Sequence, residues 1–227
     1  MLVKNWMNKN VVTVDVNDSM QNAISLIKEH QIRMLPVLEK GKLVGIITDR
    51  DLKKASASDA TTLEIHELMY LLAKLKIRKI MTKNPVTVPP DFTLEETAEL
   101  LLNRKISGIP VLSPEGTVVG TITQSDIFRA FISLSGFGHK GIQFAFQIAD
   151  QPGSIKEITD VIRAFGARIV SILTSYDNVP EGFRKVYIRL YSINREALDQ
   201  LKTQLKDRAK MLYAVDHREN KREIFEG

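Results

Sequence analysis

Apolar and polar positions form one pattern that occurs twice within the first 135 residues. In the first copy a short strand at Thr13–Val16 precedes a segment, Ser19–His30, whose apolar residues recur at helical spacing. Two apolar strands joined by a polar turn follow, at Met34–Leu38 and Leu43–Thr48, and a second helix starts near Asp49. The pattern predicts a βαββα unit.

The second copy aligns with the first at an offset of 74 residues, which becomes 75 after a one-residue insertion near Glu115. Its first helix begins with a capping box, in which Thr93 is followed three residues later by Glu96. Two strands are predicted at Ile109–Leu112 and Val118–Thr123, and the closing helix follows directly. The first half of the chain is therefore predicted to be an internal repeat of two similar units.

Each copy contains a strand-to-helix junction with a threonine and, three residues later, an aspartate: Thr48 and Asp51, then Thr123 and Asp126. Backbone N–H groups at a helix start are unpaired and attract phosphate. A carboxylate one turn further on can accept hydrogen bonds from the two hydroxyls of a ribose. The junctions thus indicate two nucleotide sites. The alternative is that these residues only stabilise the start of a helix, where they are common.

The stretch between the two units is predicted to be a connector. Residues 55–62 have the composition of a linker, and Leu63–Ile80 reads as a helix with a wide apolar stripe and a basic end. Such a stripe is more typical of core contact than of membrane binding, so we expect this helix to dock the two units together.

Residues 136–141 spell the dinucleotide fingerprint G-x-G-x-x-G. The fingerprint has its meaning only after a strand and before a helix, and here the order is reversed. The segment is therefore predicted to be a flexible, glycine-rich linker.

The last third has the pattern of a separate domain. Alternating apolar residues predict a first strand from Ile142, and a helix follows that ends at Gly166. Strands at Ala167–Tyr176 and Arg184–Leu190, a helix at Asn194–Asp207 and a strand at Met211–Val215 complete the order βαββαβ. This is the split, ferredoxin-like arrangement. The mixed-charge residues 217–227 are predicted to be a solvated tail.

Composition narrows the class of protein. The 227 residues are 44% hydrophobic and 26% charged, which is ordinary for a folded domain. The absence of cysteine excludes disulfides and thiolate chemistry, and no signal peptide or membrane span is evident, so a cytoplasmic location is expected. The net charge of +5 is spread among acids rather than gathered on one face, which argues against nucleic-acid and membrane partners.

No catalytic constellation is evident. The four histidines, His30, His66, His139 and His217, lie far apart without the spacing of a zinc site. The chain has neither a G-x-S-x-G elbow nor a phosphate-binding P-loop. The sequence therefore predicts a protein that is not an enzyme and requires no metal or cofactor.

These motifs resemble a known combination of domains. Residues 1–135, with the repeated Gly-x-x-Thr-x-x-Asp and an upstream Pro-Val, resemble a tandem CBS motif pair, or Bateman module. Its motifs lie at about 1–56 and 80–135, joined by the connector 57–79. Residues 142–216 resemble an ACT domain, and the joint order is similar to that of acetoin-utilisation AcuB-type proteins. The implied fold is α/β and α+β: a pair of βαββα motifs followed by a ferredoxin-like ACT domain.

The resemblance to the CBS family implies a role for each junction. The threonine and aspartate would hold ribose and phosphate, the short first strand would lie beside the base, and the segment before the proline would meet adenine through its backbone. The sites are not equivalent, because Arg50 stands where Ser125 does in the second motif and Met34 is bulky where Gly108 leaves room. We therefore expect the second site to be better for the base. The implied nucleotide-binding residues are Thr13, Val14, Arg33, Met34, Leu35, Thr48, Arg50, Asp51, Thr87, Val88, Ser107, Gly108, Ile109, Thr123, Ser125 and Asp126.

The resemblance to ACT domains implies either an amino-acid effector site or a plain dimerisation role. The effector site would use Asp150, Gly153, Gly166 and Arg168. Arg168 replaces the asparagine expected at that position, so both alternatives stay open.

The function implied by the whole resemblance is ligand sensing. The CBS pair would bind an adenosine-containing ligand, AMP, ADP, ATP or S-adenosylmethionine, and the ACT domain would form a homodimer. A regulated enzyme in acetoin or central carbon metabolism would be the partner. The alternatives are an assembly scaffold with empty clefts and, third, an enzyme that acts on the nucleotide.

Overall fold

The computed structural model describes residues 1–59 and 74–225 and divides into two compact units, Met1–Phe128 and Arg129–Gly227. The division falls inside a helix that runs from Gln124 to Leu134, whereas the sequence places the boundary after residue 135 as a prediction.

The first motif has the predicted order. Strand β1 (Val14–Asp15) runs parallel to β2 (Met34–Glu39), which pairs antiparallel with β3 (Lys42–Thr48). Helix α1 (Met20–Glu29) lies between β1 and β2, and helix α2 (Asp49–Asp59) begins where β3 ends. Helix α2 extends through residues that were predicted to be linker, since that stretch contains no glycine or proline to end a helix.

The segment between the motifs differs from the predicted connector helix. Of the expected helix Leu63–Ile80, residues 63–73 lie outside the described part. The described remainder is not one helix, because Leu75 and Lys76 are non-helical before the short helix α3 (Ile77–Ile80). The physical reason is a pairing: the carbonyl of Leu75 accepts a hydrogen bond from the Met20 N–H at 2.8 Å, and Lys76 bridges to Ser19.

The second motif repeats the first. Its elements are α4 (Leu94–Arg104), β5 (Gly108–Leu112), β6 (Val118–Thr123) and α5 (Gln124–Leu134). The capping box predicted at Thr93 and Glu96 is confirmed, with each residue bonding the other's backbone.

The two motifs exchange the segments that precede them. Strand β4 (Thr82–Lys83), just upstream of the second motif, pairs with β3 of the first motif. In the same way Asn8, upstream of the first motif, pairs with Thr121 of the second. The exchange requires glycine at the contact: a Cβ on Gly45 would lie 2.7 Å from Met81 Sδ, and a Cβ on Gly120 would lie 2.5 Å from Met7 Sδ. The pair is thus built as one interlocked unit.

The C-terminal unit contains, in chain order, the elements β7 (Ile142–Ala149), α6 (Ser154–Ala164), β8 (Arg168–Ser175), β9 (Phe183–Ser192), α7 (Leu198–Arg208), β10 (Lys210–Asp216) and β11 (Lys221–Ile224). Its strands form an antiparallel sheet in the order β11-β10-β7-β9-β8. The apolar core of the unit includes Phe144, Phe146, Ile162, Ile188 and Leu201, all fully buried.

Two segments of this unit differ from expectation. The predicted tail contains strand β11, which is an edge strand that pairs with β10 and is held by an ion pair of 2.6 Å between Lys202 and Glu223. The predicted linker 136–141 contains a 3₁₀ turn, Phe137–His139. The ring of Phe137 packs edge-on against His217, so this segment is part of the packed unit.

Candidate functional site

Thr48 and Asp51 bond each other at the start of helix α2. The Asp51 carboxylate accepts from the Thr48 backbone N–H at 2.9 Å and from the Thr48 hydroxyl at 2.7 Å, both through Oδ2. The Asp51 N–H donates back to the threonine hydroxyl oxygen at 3.2 Å. Both residues therefore cap the helix, as the alternative reading of the motif expects. Oδ1 makes no hydrogen bond within residues 1–59 and 74–225, and it can accept bonds from a ligand.

Thr123 and Asp126 repeat this arrangement at the start of α5. Asp126 Oδ2 accepts from the Thr123 N–H at 2.7 Å and from its hydroxyl at 2.6 Å. The two copies differ in exposure, because Asp126 is only 4% exposed whereas Asp51 is partly exposed. The second cap is the more enclosed of the two.

The backbone before each central strand is bonded to the neighbouring cap. The Asp49 N–H donates to the Arg33 carbonyl at 3.1 Å, and the Gln124 N–H donates to the Ser107 carbonyl at 3.0 Å. These bonds bring the two parts of each predicted site together: the segment expected to meet a base and the residues expected to meet a ribose.

A cleft of about 710 Å³ opens beside the first cap. It includes one helix start, the segments before β2 and β5, and the turn after α4. The lining residues are Arg33, Met34, Ile46, Thr48, Asp49, Arg50, Asp51, Lys53, Thr82, Lys105, Ile106, Ser107, Gly108 and Gln124. Four of them are basic and two are acidic, so the cleft carries an excess of positive charge that favours an anionic ligand.

About half of the predicted nucleotide-binding residues line this cleft. The lining members are Arg33, Met34, Thr48, Arg50, Asp51, Ser107 and Gly108, and the others are Thr13, Val14, Leu35, Thr87, Val88, Ile109, Thr123, Ser125 and Asp126. Among the latter, the side chains of Val14, Leu35, Val88 and Ile109 are buried in the apolar core. These four can meet a ligand only through backbone atoms.

Met34 and Gly108 lie next to each other in the cleft. A Cβ on Gly108 would be 3.5 Å from the Met34 terminal methyl and 3.2 Å from the Thr123 methyl. The space that the glycine leaves is thus bounded by the methionine, and the two predicted base sites are not independent in shape.

Lys105 is the lining residue that the sequence argument missed most clearly. It has a left-handed backbone (φ 53°) at the C-cap of α4, and Gln31 has the same conformation (φ 52°) at the end of α1. The repeat alignment places these two residues at equivalent positions, and that signal could have marked the turn as part of the cleft.

The predicted amino-acid site is not assembled within one chain. Asp150 and Gly153 lie at the start of helix α6, whereas Gly166 and Arg168 lie beyond its end. Eleven helical residues separate the two halves, a rise of about 16 Å at 1.5 Å per residue. Asp150 instead pairs with Arg184 at 3.4 Å, and Arg168 donates to the Tyr191 hydroxyl at 3.2 Å.

A smaller cavity of about 140 Å³ in the C-terminal unit is lined mainly by paired charges. Burial opposes the ionisation of Asp216, but hydrogen bonds from Arg195 and from the Arg218 and Glu219 N–H groups outweigh it and lower the pKa of Asp216. Lys202 pairs with Glu223 across the same cavity. The network serves to hold β10 and β11 to their neighbours.

Residues 1–59 and 74–225 contain no cluster of histidine and acidic side chains that could hold a metal ion. Within the same ranges, no helix combines the length and the hydropathy that a membrane crossing needs.

Comparison with known proteins identifies the repeated unit. The family model for the CBS domain matches twice, at residues 3–58 and 77–133. A CBS domain-containing protein of Dictyostelium discoideum is 33% identical over 134 residues, which cover 59% of this chain and 92% of that protein.

Two other relatives show the contexts of similar pairs. An inosine-5'-monophosphate dehydrogenase of Korarchaeum cryptofilum is 36% identical over 120 residues, which cover 53% of this chain and 22% of that enzyme. The crystal structure of the CBS domain pair of protein MJ0100, in complex with 5'-methylthioadenosine and S-adenosyl-L-methionine, has 34% identity and a TM-score of 0.51. It covers 59% of this chain and 97% of that one. By sequence and by structure, the chain belongs to the CBS-domain family and carries its two motifs as a tandem pair.

Proposed function

We propose that this chain is a regulatory protein that senses an adenosine-containing ligand in its CBS pair. The observation that carries the proposal is the junction of Thr48 and Asp51, which places a helix start and a carboxylate at the wall of a 710 Å³ cleft. The related CBS pair of MJ0100, with its bound 5'-methylthioadenosine and S-adenosyl-L-methionine, supports this ligand class.

Each group of the ligand has a partner in the proposed complex. Oδ1 of Asp51 accepts from the ribose hydroxyls while Oδ2 keeps the cap intact. Backbone atoms of residues 33–35 or 107–109 meet the base. Exposed basic side chains, among them Arg50 and Lys105, meet phosphate, and the start of α2 adds its dipole. AMP, ADP and ATP fit this charge pattern, and S-adenosylmethionine is the further candidate.

We also propose that the C-terminal unit is an ACT-like, ferredoxin-like domain that pairs two chains. The order β10-β7-β9-β8 with one helix after β7 and another after β9 supports this. Strand β8 is at the edge of the sheet and can pair with a second copy. Analytical ultracentrifugation tests this directly, and the expected result is twice the chain mass of 25.6 kDa.

The proposed mechanism is a ligand-induced shift in the populations of alternative arrangements of the two motifs. A ligand held between the two motifs favours one arrangement of the pair to the extent that it binds that arrangement more tightly. The ACT-like dimer then presents the change to a regulated enzyme, in a cytoplasmic setting and, by family resemblance, in acetoin or central carbon metabolism. No catalytic step is assigned to the chain.

A second candidate is a scaffold whose clefts stay empty. The observation in its favour is that both aspartates already serve as helix caps, and Asp126 is almost wholly buried. In that case the threonines and aspartates are present for stability alone.

A thermal-shift panel separates the two candidates. The full chain is heated with AMP, ADP, ATP, S-adenosylmethionine, 5'-methylthioadenosine or free amino acids, each at increasing concentration. A ligand at about 100 times its dissociation constant adds about 2.7 kcal/mol to the free energy of unfolding. A raised melting temperature with any adenosine compound supports sensing, and no change up to millimolar concentration supports the scaffold.

A further inference from the structure

The surroundings of the two caps differ in charge. The internal repeat gives each residue near the first cap an equivalent residue near the second, so the two sides can be compared position by position. Arg50, Lys53 and Lys105 line the cleft of the first cap. The equivalent residues around the second cap are Ser125, Phe128 and Gln31. Arg33, the fourth basic residue of the cleft, corresponds to Ser107, so each of the four basic lining residues has an uncharged equivalent.

The backbone is not the source of this difference. Lys105 and Gln31 have nearly the same left-handed conformation, with φ of 53° and 52°. Arg50 and Ser125 both follow the first residue of the helix that starts at the cap. The fold thus presents each pair of side chains in the same way, and only their chemistry differs.

The acidic residues do not cancel the contrast. Asp49 lies among the basic residues of the first side and approaches Lys53 at 3.5 Å, and its equivalent on the second side is Gln124. Asp51 on the first side corresponds to Asp126 on the second side, so this position is acidic on both. The first side has four basic and two acidic lining residues, whereas the equivalent positions on the second side hold one basic residue, Arg33, and two acidic ones, Asp49 and Asp126.

Phe128 adds an apolar surface where the first side has Lys53. It is 62% exposed, so its ring is accessible to a ligand at this position. An aromatic face can stack on a base or contact a thioether sulfur, and it gives nothing to a phosphate.

We infer that the surroundings of the two caps sort adenosine ligands by charge. The first cap takes a phosphorylated adenosine ligand, and the second takes an uncharged or sulfonium-bearing one and rejects phosphate. The inference rests on the proposed function, since it assigns a ligand class to each half of the same pair. Arg50 and Lys105 are the specificity-determining residues of the first side.

The repeat itself supplies the variants for a test. Arg50→Ser combined with Lys105→Gln gives the first side the residues that the second side already carries in the same backbone. Isothermal titration calorimetry on the full chain measures AMP and 5'-methylthioadenosine, which share the adenosine part and differ in charge. The double variant is expected to bind AMP about tenfold more weakly, because two charge-assisted contacts are lost. Its affinity for 5'-methylthioadenosine is expected to change by less than about twofold.

Four further variants make the result specific, the first of them as a control. Lys42→Gln removes an exposed positive charge outside the cleft and is expected to leave both affinities unchanged. Asp51→Asn is expected to weaken AMP binding selectively, and Asp126→Asn is expected to weaken 5'-methylthioadenosine binding selectively. The reverse change, Ser125→Arg with Phe128→Lys, is expected to raise AMP binding from about one to about two molecules per chain.

The outcomes distinguish this inference from the proposed function. Equal losses for both ligands in the double variant, or loss of AMP binding in Asp126→Asn alone, overturn the sorting by charge while adenosine binding itself stands. If the wild-type chain binds none of AMP, ADP, ATP, S-adenosylmethionine and 5'-methylthioadenosine at millimolar concentration, the proposed function fails and this inference fails with it.

Discussion

The carboxylate of Asp51 accepts two hydrogen bonds from Thr48 through a single oxygen, at 2.9 Å from the backbone nitrogen and 2.7 Å from the hydroxyl. One oxygen stabilises helix α2, and the other makes no hydrogen bond in residues 1–59 and 74–225. In the proposed complex this second oxygen binds the ribose, so loss of Asp51 is expected to reduce both stability and binding.

The caps are expected to differ in their contribution to stability. Asp126→Ala should lower the free energy of unfolding by about 1–3 kcal/mol, because the Thr123 N–H loses its acceptor at a site that is almost wholly buried. Asp51→Ala, at a partly exposed cap, should cost about 1 kcal/mol. Urea denaturation followed by the fluorescence of Trp6, the single tryptophan, measures both. Equal stability of Asp126→Ala and wild type would show that this cap is not structural.

The exchanged segments predict that Gly45→Ala destabilises the CBS pair more than Gly120→Ala does. A Cβ on Gly45 would lie 2.8 Å from the Thr82 backbone carbonyl as well as close to Met81, whereas a Cβ on Gly120 would meet chiefly the side chain of Met7. A backbone carbonyl cannot move aside as a methionine can. Gly45→Ala should therefore destabilise the CBS pair by about 1–3 kcal/mol, and Gly120→Ala by less.

A rescue experiment checks the same contact. Met7→Ala should restore most of the stability lost in Gly120→Ala, and Met81→Ala should restore less in Gly45→Ala, because the Thr82 carbonyl remains. Thermal unfolding of the single and double variants gives the comparison. Additive losses in the Met7 and Gly120 pair would count against the interlocked arrangement.

The C-terminal unit should lose stability in mild acid through His217. The pKa of His217 is lowered from 6.5, first by burial and then by the positive charges of Arg189 and Arg222, with Asp216 opposing. The unfolded chain therefore takes up this proton at higher pH than the folded chain. The contribution of His217 to stability is complete above about pH 6.5 and is lost as the pH falls from there through the lower, folded pKa.

Urea denaturation followed by circular dichroism at several pH values between 7.5 and 5.5 tests this. His217→Gln should show a smaller loss of stability across the range than wild type. His139→Gln, which removes an exposed histidine of the same unit, is the matched control and should follow wild type. A slope that is unchanged in His217→Gln would assign the acid sensitivity to other groups.

Local patterns were enough to predict most of the helices and strands. The capping box at Thr93, the strand Val118–Thr123 and the helix end at Gly166, which has a left-handed backbone, all follow from signals within a few residues of each other. The repeat strengthened these predictions, since each copy served as a check on the other.

The errors occurred where distant residues decide the structure. Strand β11 has a charged sequence, Lys-Arg-Glu-Ile, without apolar alternation, and it forms because β10 offers an edge and Lys202 offers an ion pair. The break at Leu75 depends on Met20, which is more than 50 residues away in sequence. The cleft was predicted only in part for the same reason, since Lys105 reaches the first cap from the second motif.

A crystal structure of the full chain grown with saturating AMP shows whether a ligand occupies the cleft beside Asp51. We expect adenosine density in this cleft, with a ribose hydroxyl at hydrogen-bond distance from Asp51 Oδ1 and the phosphate between Arg50 and Lys105. A cleft that stays empty at saturating AMP, or a nucleotide bound away from both caps, would contradict this expectation.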